Sequence, residues 1–145
     1  MPGEIPVYGA GGIIGMHNKE FINGPAIVIG RKGSAGAISY SEGACWPIDT
    51  TFYVSQAQTQ MDIVWLLHLL ISLRLDNLTE ATAVGGLNRN KAYALPIPLP
   101  PLDEQQRIAD RLTQAEEIKK TNAESDKKIE ELKSSLLQRA FRGEL

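Results

Sequence analysis

Ile97-Pro98-Leu99-Pro100-Pro101-Leu102-Asp103-Glu104-Gln105-Gln106-Arg107-Ile108 is the stretch that decides the architecture of this chain. Prolines at 98, 100 and 101 hold the backbone extended and withdraw amide donors, so neither a long helix nor a central strand can pass through them. Asp103 then offers an N-cap, and Gln106, three residues on, completes a capping-box-like pair. The spacing predicts one long helix from Asp103 to about Leu145. Arg139 and Arg142 stand in its last turn and Gly143 at the C-terminal cap. Glu116–Lys120, Glu124–Lys128 and Lys127–Glu131 support it as i,i+4 pairs. About 39 helical residues at 1.5 Å each make an arm of roughly 58 Å. The chain therefore divides into a globule at residues 1–102 and a helix at 103–145, and the prolines are expected to set the angle at which the helix leaves.

Along that helix Ile108, Leu112 and Ala115, then Ile129, Leu132, Leu136 and Ala140, step by threes and fours as a coiled-coil seam does. Polar residues Lys119, Asn122 and Asp126 interrupt the seam. A helix so long and so striped calls for a partner helix; folding back onto its own globule is the other way to cover the stripe.

The globule reads as α+β. Ile5–Tyr8 is a short extended piece, and Gly9, Gly11, Gly12 and Gly15 punctuate the turn after it. Ala26-Ile27-Val28-Ile29 lies between Gly24-Pro25 and Gly30 and reads as a buried strand. Ala37–Tyr40 follows a Gly33–Gly36 turn, which predicts a hairpin with a basic tip. Thr50–Val54 is a further strand by its β-branched and aromatic content. From Met61 to Leu75 the period changes to that of a largely buried helix, with Asp62 favourable in its first turn. Leu95, Ile97 and Leu99 alternate with Ala94 and prolines, as in an edge strand or a polyproline-like strap.

Composition narrows the function classes. Hydrophobic residues make up 43% of 145 and mean hydropathy is −0.16, values of a globular chain. The longest apolar run, Ile63 to Leu73, is broken by His68 and Ser72 and is too short to span a bilayer. Met1-Pro2-Gly3-Glu4 lacks the basic and apolar regions of a signal peptide. One cysteine, Cys45, permits no internal disulfide, which fits a reducing cytoplasm, and it reads as a small buried hydrophobe. Net charge is −2. Residues 1–102 hold six Lys/Arg against seven Asp/Glu, and residues 103–145 hold nine against ten. Any nucleic-acid contact must therefore come from local patches.

Two glycine-rich stretches invite nucleotide readings, and both fail. From Gly9 and Gly11 a dinucleotide fingerprint needs glycine at 14, which is isoleucine. Gly30-Arg31-Lys32-Gly33-Ser34-Ala35-Gly36 lacks the closing Gly-Lys-Ser/Thr of a P-loop. As a polar loop the second stretch is more informative. Arg31-Lys32, followed by Ser34, is the only basic pair in the first hundred residues, set among glycines that permit close approach to a phosphate or a base edge. A solvated hairpin tip is the other reading. Asn88-Arg89-Asn90-Lys91 is a second basic, amide-rich loop, and His17-Asn18-Lys19 a weaker third. His17 and His68 have no neighbours at metal-ligand spacing, and Asp49 serves as readily as a turn cap as an acid. Neither a catalytic constellation nor a cofactor motif emerges.

Leu99-Pro100-Pro101-Leu102 with Glu104-Gln105 and Ile108-Ala109, and Leu136-Leu137-Gln138-Arg139-Ala140-Phe141-Arg142-Gly143-Glu144-Leu145, resemble the helical region of the specificity subunits of type I restriction–modification systems. Upstream, Gly11–Gly15, Ile29–Ser34 and Trp46-Pro47-Ile48-Asp49-Thr50 look like that family's target recognition domain. The resemblance implies a non-catalytic, cytoplasmic DNA-reading subunit without cofactor or metal, directing an adenine methyltransferase and a restriction subunit to a bipartite site. It implies double-stranded DNA, the methyltransferase subunit and, through the complex, the restriction subunit as partners. It favours the Arg31-Lys32 and Asn88 to Lys91 loops as DNA contacts, and Ser34, His17 and Lys19 join them as candidates from their own loops. Family subunits carry two recognition domains, and this chain carries one, so pairing through the helix is expected, as a homodimer or with another specificity subunit. Family domains also extend further upstream of Ile5, so the recognition domain is expected to be partial at its N-terminus. The alternative is an assembly module whose helix binds a specificity or methyltransferase subunit without reading DNA.

Overall fold

The computed structural model describes residues 3–79 and 85–142. The fold is α+β, as expected, with one compact unit running through Ala109 and a second from Asp110 onward. The first turns of the long helix thus belong to the first unit.

β3 (Ala26–Gly30) is the centre of that unit, and every one of its residues is buried. It pairs antiparallel with β4 (Ile38–Ser41) on one side and with β6 (Thr51–Ser55) on the other. A central strand covered on both faces needs apolar side chains at consecutive positions, which is what Ala-Ile-Val-Ile supplies. Ile27 and Ile29 join Ile63, Trp65 and Leu66 of α1 (Ile63–Ser72) in one core cluster. Ala26 and Val28 face the other way and pack with Tyr8, Ile22 and Cys45. That second layer is a sheet of order β2-β1-β5, in which β1 (Ile5–Gly9) pairs antiparallel with β2 (Gly12–His17) and parallel with β5 (Trp46–Pro47). The Tyr8 hydroxyl donates to the Tyr40 carbonyl at 3.2 Å and ties the two sheets together.

Several elements differ from the sequence reading. The glycine-punctuated stretch after Tyr8 is mostly strand: β1 turns in two residues, Ala10 and Gly11, and returns as β2. Helix α1 is shorter than Met61–Leu75, and Asp62 stands before it as the N-cap, accepting from the Val64 and Trp65 amides at 3.0 and 2.8 Å. Residues 95–101 form no strand. Asn88 to Lys91, read as a loop, instead forms the cap and first turn of the short helix α2 (Arg89–Tyr93).

The long helix α3 spans Leu102–Phe141, 40 residues. The Pro101 carbonyl accepts the Gln105 amide at 3.0 Å, so the helix starts one residue before the expected cap, and Asp103 lies in its first turn, 3.6 Å from Arg107. The buried polar group at this junction is Gln105 rather than Gln106. Its side chain accepts from the Asp62 amide at 2.9 Å and donates to the Pro100 carbonyl at 2.9 Å. The start of α3 is thereby tied to the N-cap of α1 within the first unit, with Ala109 in its core. Gly143 and Leu145 lie outside the described residues.

Candidate nucleic-acid interface

The two basic loops of the first unit, 55 or more residues apart in sequence, meet through their backbones. The Leu87 amide donates to the Arg31 carbonyl at 2.9 Å, and Lys32 and Gly86 form an antiparallel bridge. On the other side the Arg31 and Lys32 amides both donate to the Thr50 carbonyl, at 2.9 and 3.3 Å. The loop after β3 is therefore clamped between the start of β6 and the segment leading to α2. Its turn is closed by the Gly36 amide on the Gly30 carbonyl at 2.8 Å. Gly36 has φ +82°, and a Cβ there would collide with the backbone of Leu75 and Asp76, so only glycine fits.

The side chains of this clamp differ in availability. Lys32, Ser34, Arg89, Asn90 and Lys91 are exposed, and Arg31 is half-buried. The Arg31 guanidinium lies 5.9 Å from the centre of the Phe52 ring, and its Nε is buried without a hydrogen-bond partner among the described residues. Asn88 is committed locally, capping α2 by accepting the Lys91 amide at 3.0 Å. Arg89 lies over the Tyr93 ring at 5.8 Å. Asp49, beside Thr50, is exposed.

His17 and Lys19 do not join this group. His17 ends β2, five residues or about 16 Å along the strand from Gly12. Its Nδ1 accepts from the Lys19 amide at 3.0 Å, and its ring packs 4.6 Å from Trp46. Phe21 continues the aromatic run to Trp46 and Tyr53 at 5.9 and 5.8 Å. The sequence reading missed Thr50, Gly86 and Leu87, whose part in the clamp is played by backbone atoms, and it missed Gln105.

Little in the unit offers acid–base chemistry. A recess of about 520 Å³ between β6, α1 and α2 is lined by Phe52, Leu66, Leu70, Leu87 and Ala92 among others, with Arg89 the single charged side chain among its described residues. Cys45 is fully buried, and burial pushes its thiol pKa up, a hydrogen bond with Ser41 opposing. No cluster of three metal-ligating side chains occurs among the described residues. No described helix is long and apolar enough to cross a membrane.

Against known proteins, the profile of the type I restriction modification DNA specificity domain matches residues 1–134. The chain belongs to that family. Specificity domains of this family are non-catalytic components of restriction–modification complexes. A curated relative, the type I restriction enzyme EcoDI specificity subunit of Escherichia coli, is 30% identical over 95 residues; the match covers 63% of this chain and 21% of that protein. The fold is that of the S subunit of a type I restriction–modification system from M. genitalium, with TM-score 0.65 and 18% identity over 79% of this chain and 32% of that one. A second solved chain comes from work on complex assembly and conformational transition of the type I system. It aligns at TM-score 0.68 and 22% identity over 99% of this chain and 40% of its own length. The chain thus spans well under half of each of these relatives.

In the second unit the apolar stripe of α3 is open. Leu112, Ile129, Leu132 and Leu136 are exposed, as are Ile118, Leu137 and Phe141. Ala115 and Ala140 lie on the exposed helix among them. Ile108, placed on the seam by its spacing, packs partly against the core of the first unit, so the open stripe begins at Leu112.

Proposed function

We propose that this specificity domain reads one part of a bipartite DNA site and directs an adenine methyltransferase subunit, with its restriction subunit, to that site. The observation that carries this reading is the backbone clamp between the two basic loops. It gathers Arg31, Lys32, Arg89 and Lys91 in a chain of net charge −2. Glycines at 30, 33 and 36 keep side chains away from a groove or phosphate approaching that loop. Residues 103–145 supply the pairing element: the stripe from Leu112 to Ala140 takes a second copy of the chain or the helix of another specificity subunit. Two identical readers would favour a palindromic target.

The test is retention of duplex DNA by the chain reconstituted with its methyltransferase subunit. Substituting Arg31→Ala together with Lys32→Ala should weaken binding and flatten its dependence on salt, because phosphate contacts release counterions. Unchanged affinity and salt dependence would remove these loops from the interface. The open stripe of α3 also favours a second reading, in which the chain acts as an assembly module through that helix alone. Under it the double variant would leave recruitment of the methyltransferase and all DNA retention unaltered.

A further inference from the structure

The β1–β2 hairpin sets an apolar feature directly beside the basic clamp. Its two-residue turn packs on the loop after β3: a Cβ on Gly11 would stand 3.1 Å from the Ser34 Oγ, and the Ala10 carbonyl lies against Gly30. Just past this turn Ile13 and Ile14 are 56% and 61% exposed. Single exposed isoleucines are ordinary, but two adjacent ones on a hairpin whose turn packs on the loop that carries Arg31 and Lys32 are not. The register between β1 and β2 shifts between Val7 and Tyr8, so that Tyr8 faces Ile13 and Val7 faces Gly15. Ile14 is the extra residue of that bulge, and bulges re-aim the side chain they carry. Both side chains are β-branched and stiff at χ1, so little rotamer freedom remains to be lost on insertion.

We infer that Ile13 and Ile14 form a wedge that enters a base step of the duplex held by the clamp. This rests on the DNA-reading proposed above. Apolar side chains between base pairs, flanked by cations on the phosphates, are a recurring device for bending DNA. Unstacking is easiest at pyrimidine–purine steps, so a wedge selects sequence through deformability without a hydrogen bond to any base. Lys32 and Ser34, exposed on the adjoining loop, are placed to hold the backbone beside the opened step.

The experiment uses the full chain with its methyltransferase subunit and a pool of duplexes with a randomised central segment, sequenced before and after retention. The wild type is expected to enrich a motif containing a pyrimidine–purine step at a fixed position and to bend the enriched duplex, read by fluorescence transfer between its ends. Ile13→Ser with Ile14→Ser should keep total retention and salt dependence, lower the enrichment at that step by roughly tenfold, and straighten the duplex. Equal enrichment and equal bending in the double variant would overturn the wedge while leaving the DNA-reading intact. Loss of the complex with the methyltransferase subunit would assign the pair to a protein contact and overturn it as well. If the wild type enriches no motif, the DNA-reading itself falls, and the wedge with it.

Discussion

Replacing Gln105 with leucine should destabilise the first unit substantially, although the residue lies outside both basic loops. Gln105 is 4% exposed, and its amide group satisfies two backbone atoms, the Asp62 N–H and the Pro100 carbonyl, each at 2.9 Å. Leucine has a similar volume and neither polar atom, so the packing survives while one donor and one acceptor lose their partners. Each orphaned group costs about 1–3 kcal/mol. The sum is roughly 2–6 kcal/mol, a drop in melting temperature on the order of 10 °C or more for a domain of this size. Thermal unfolding followed by circular dichroism reads it directly. Gln105→Glu refines the test. At neutral pH the new carboxylate still accepts from Asp62 but faces the Pro100 carbonyl with a second acceptor. Burial and that carbonyl raise the folded pKa of the new carboxyl above its unfolded value of about 4.3. Its stability contribution is therefore complete below the unfolded pKa and is lost as pH rises through the folded one. The gap to wild type should narrow on acidification. A melting temperature for Gln105→Leu within about 1 °C of wild type would refute the role given to this side chain.

Other perturbations bear on separate parts of the structure. Gly36→Ala meets both a positive φ and the Leu75–Asp76 backbone, so a loss of more than about 1 kcal/mol is expected in denaturant titrations. Cys45 has a folded pKa raised by burial above its ordinary 9.0, so stability is complete below that value and falls as pH climbs past it. Cys45→Ala should shallow that alkaline fall, and in the native protein the thiol should resist alkylation until the chain unfolds. Leu132→Glu with Leu136→Glu places charges on the open stripe of α3 and should convert the proposed dimer to a monomer in sedimentation equilibrium, with the first unit melting as before. Arg31→Ala with Lys32→Ala should lower the slope of log affinity against log salt by up to about two.

What the sequence made legible follows from where the physical signal is local. β3 was legible because a strand buried on both faces must be continuously apolar, and glycines mark both of its ends. The start of α3 was legible to within a residue because proline cannot sit in a helix interior and acidic residues are favoured in a first turn. β2 was hidden because Gly12 and Gly15 look like turn residues, and only the register with β1 makes them strand. β5 is two residues long and exists through its parallel pairing with β1. α2 is a single capped turn with no period to detect. At the junction, Gln105 and Gln106 are indistinguishable as amides, and the contact with Asp62 decides between them. In the candidate interface the cations were visible as residue types. Their meeting was not, because the Leu87–Arg31 bond and the Thr50 carbonyl involve backbone atoms that leave no side-chain signature.

The most direct test of the DNA-reading is to co-express the chain with its methyltransferase subunit and map methylated adenines across a genome. Methylation is expected to be confined to one bipartite motif and to be lost or relaxed in Arg31→Ala with Lys32→Ala. Methylation at the same motif and extent in wild type and double variant, or at no motif in either, would contradict it.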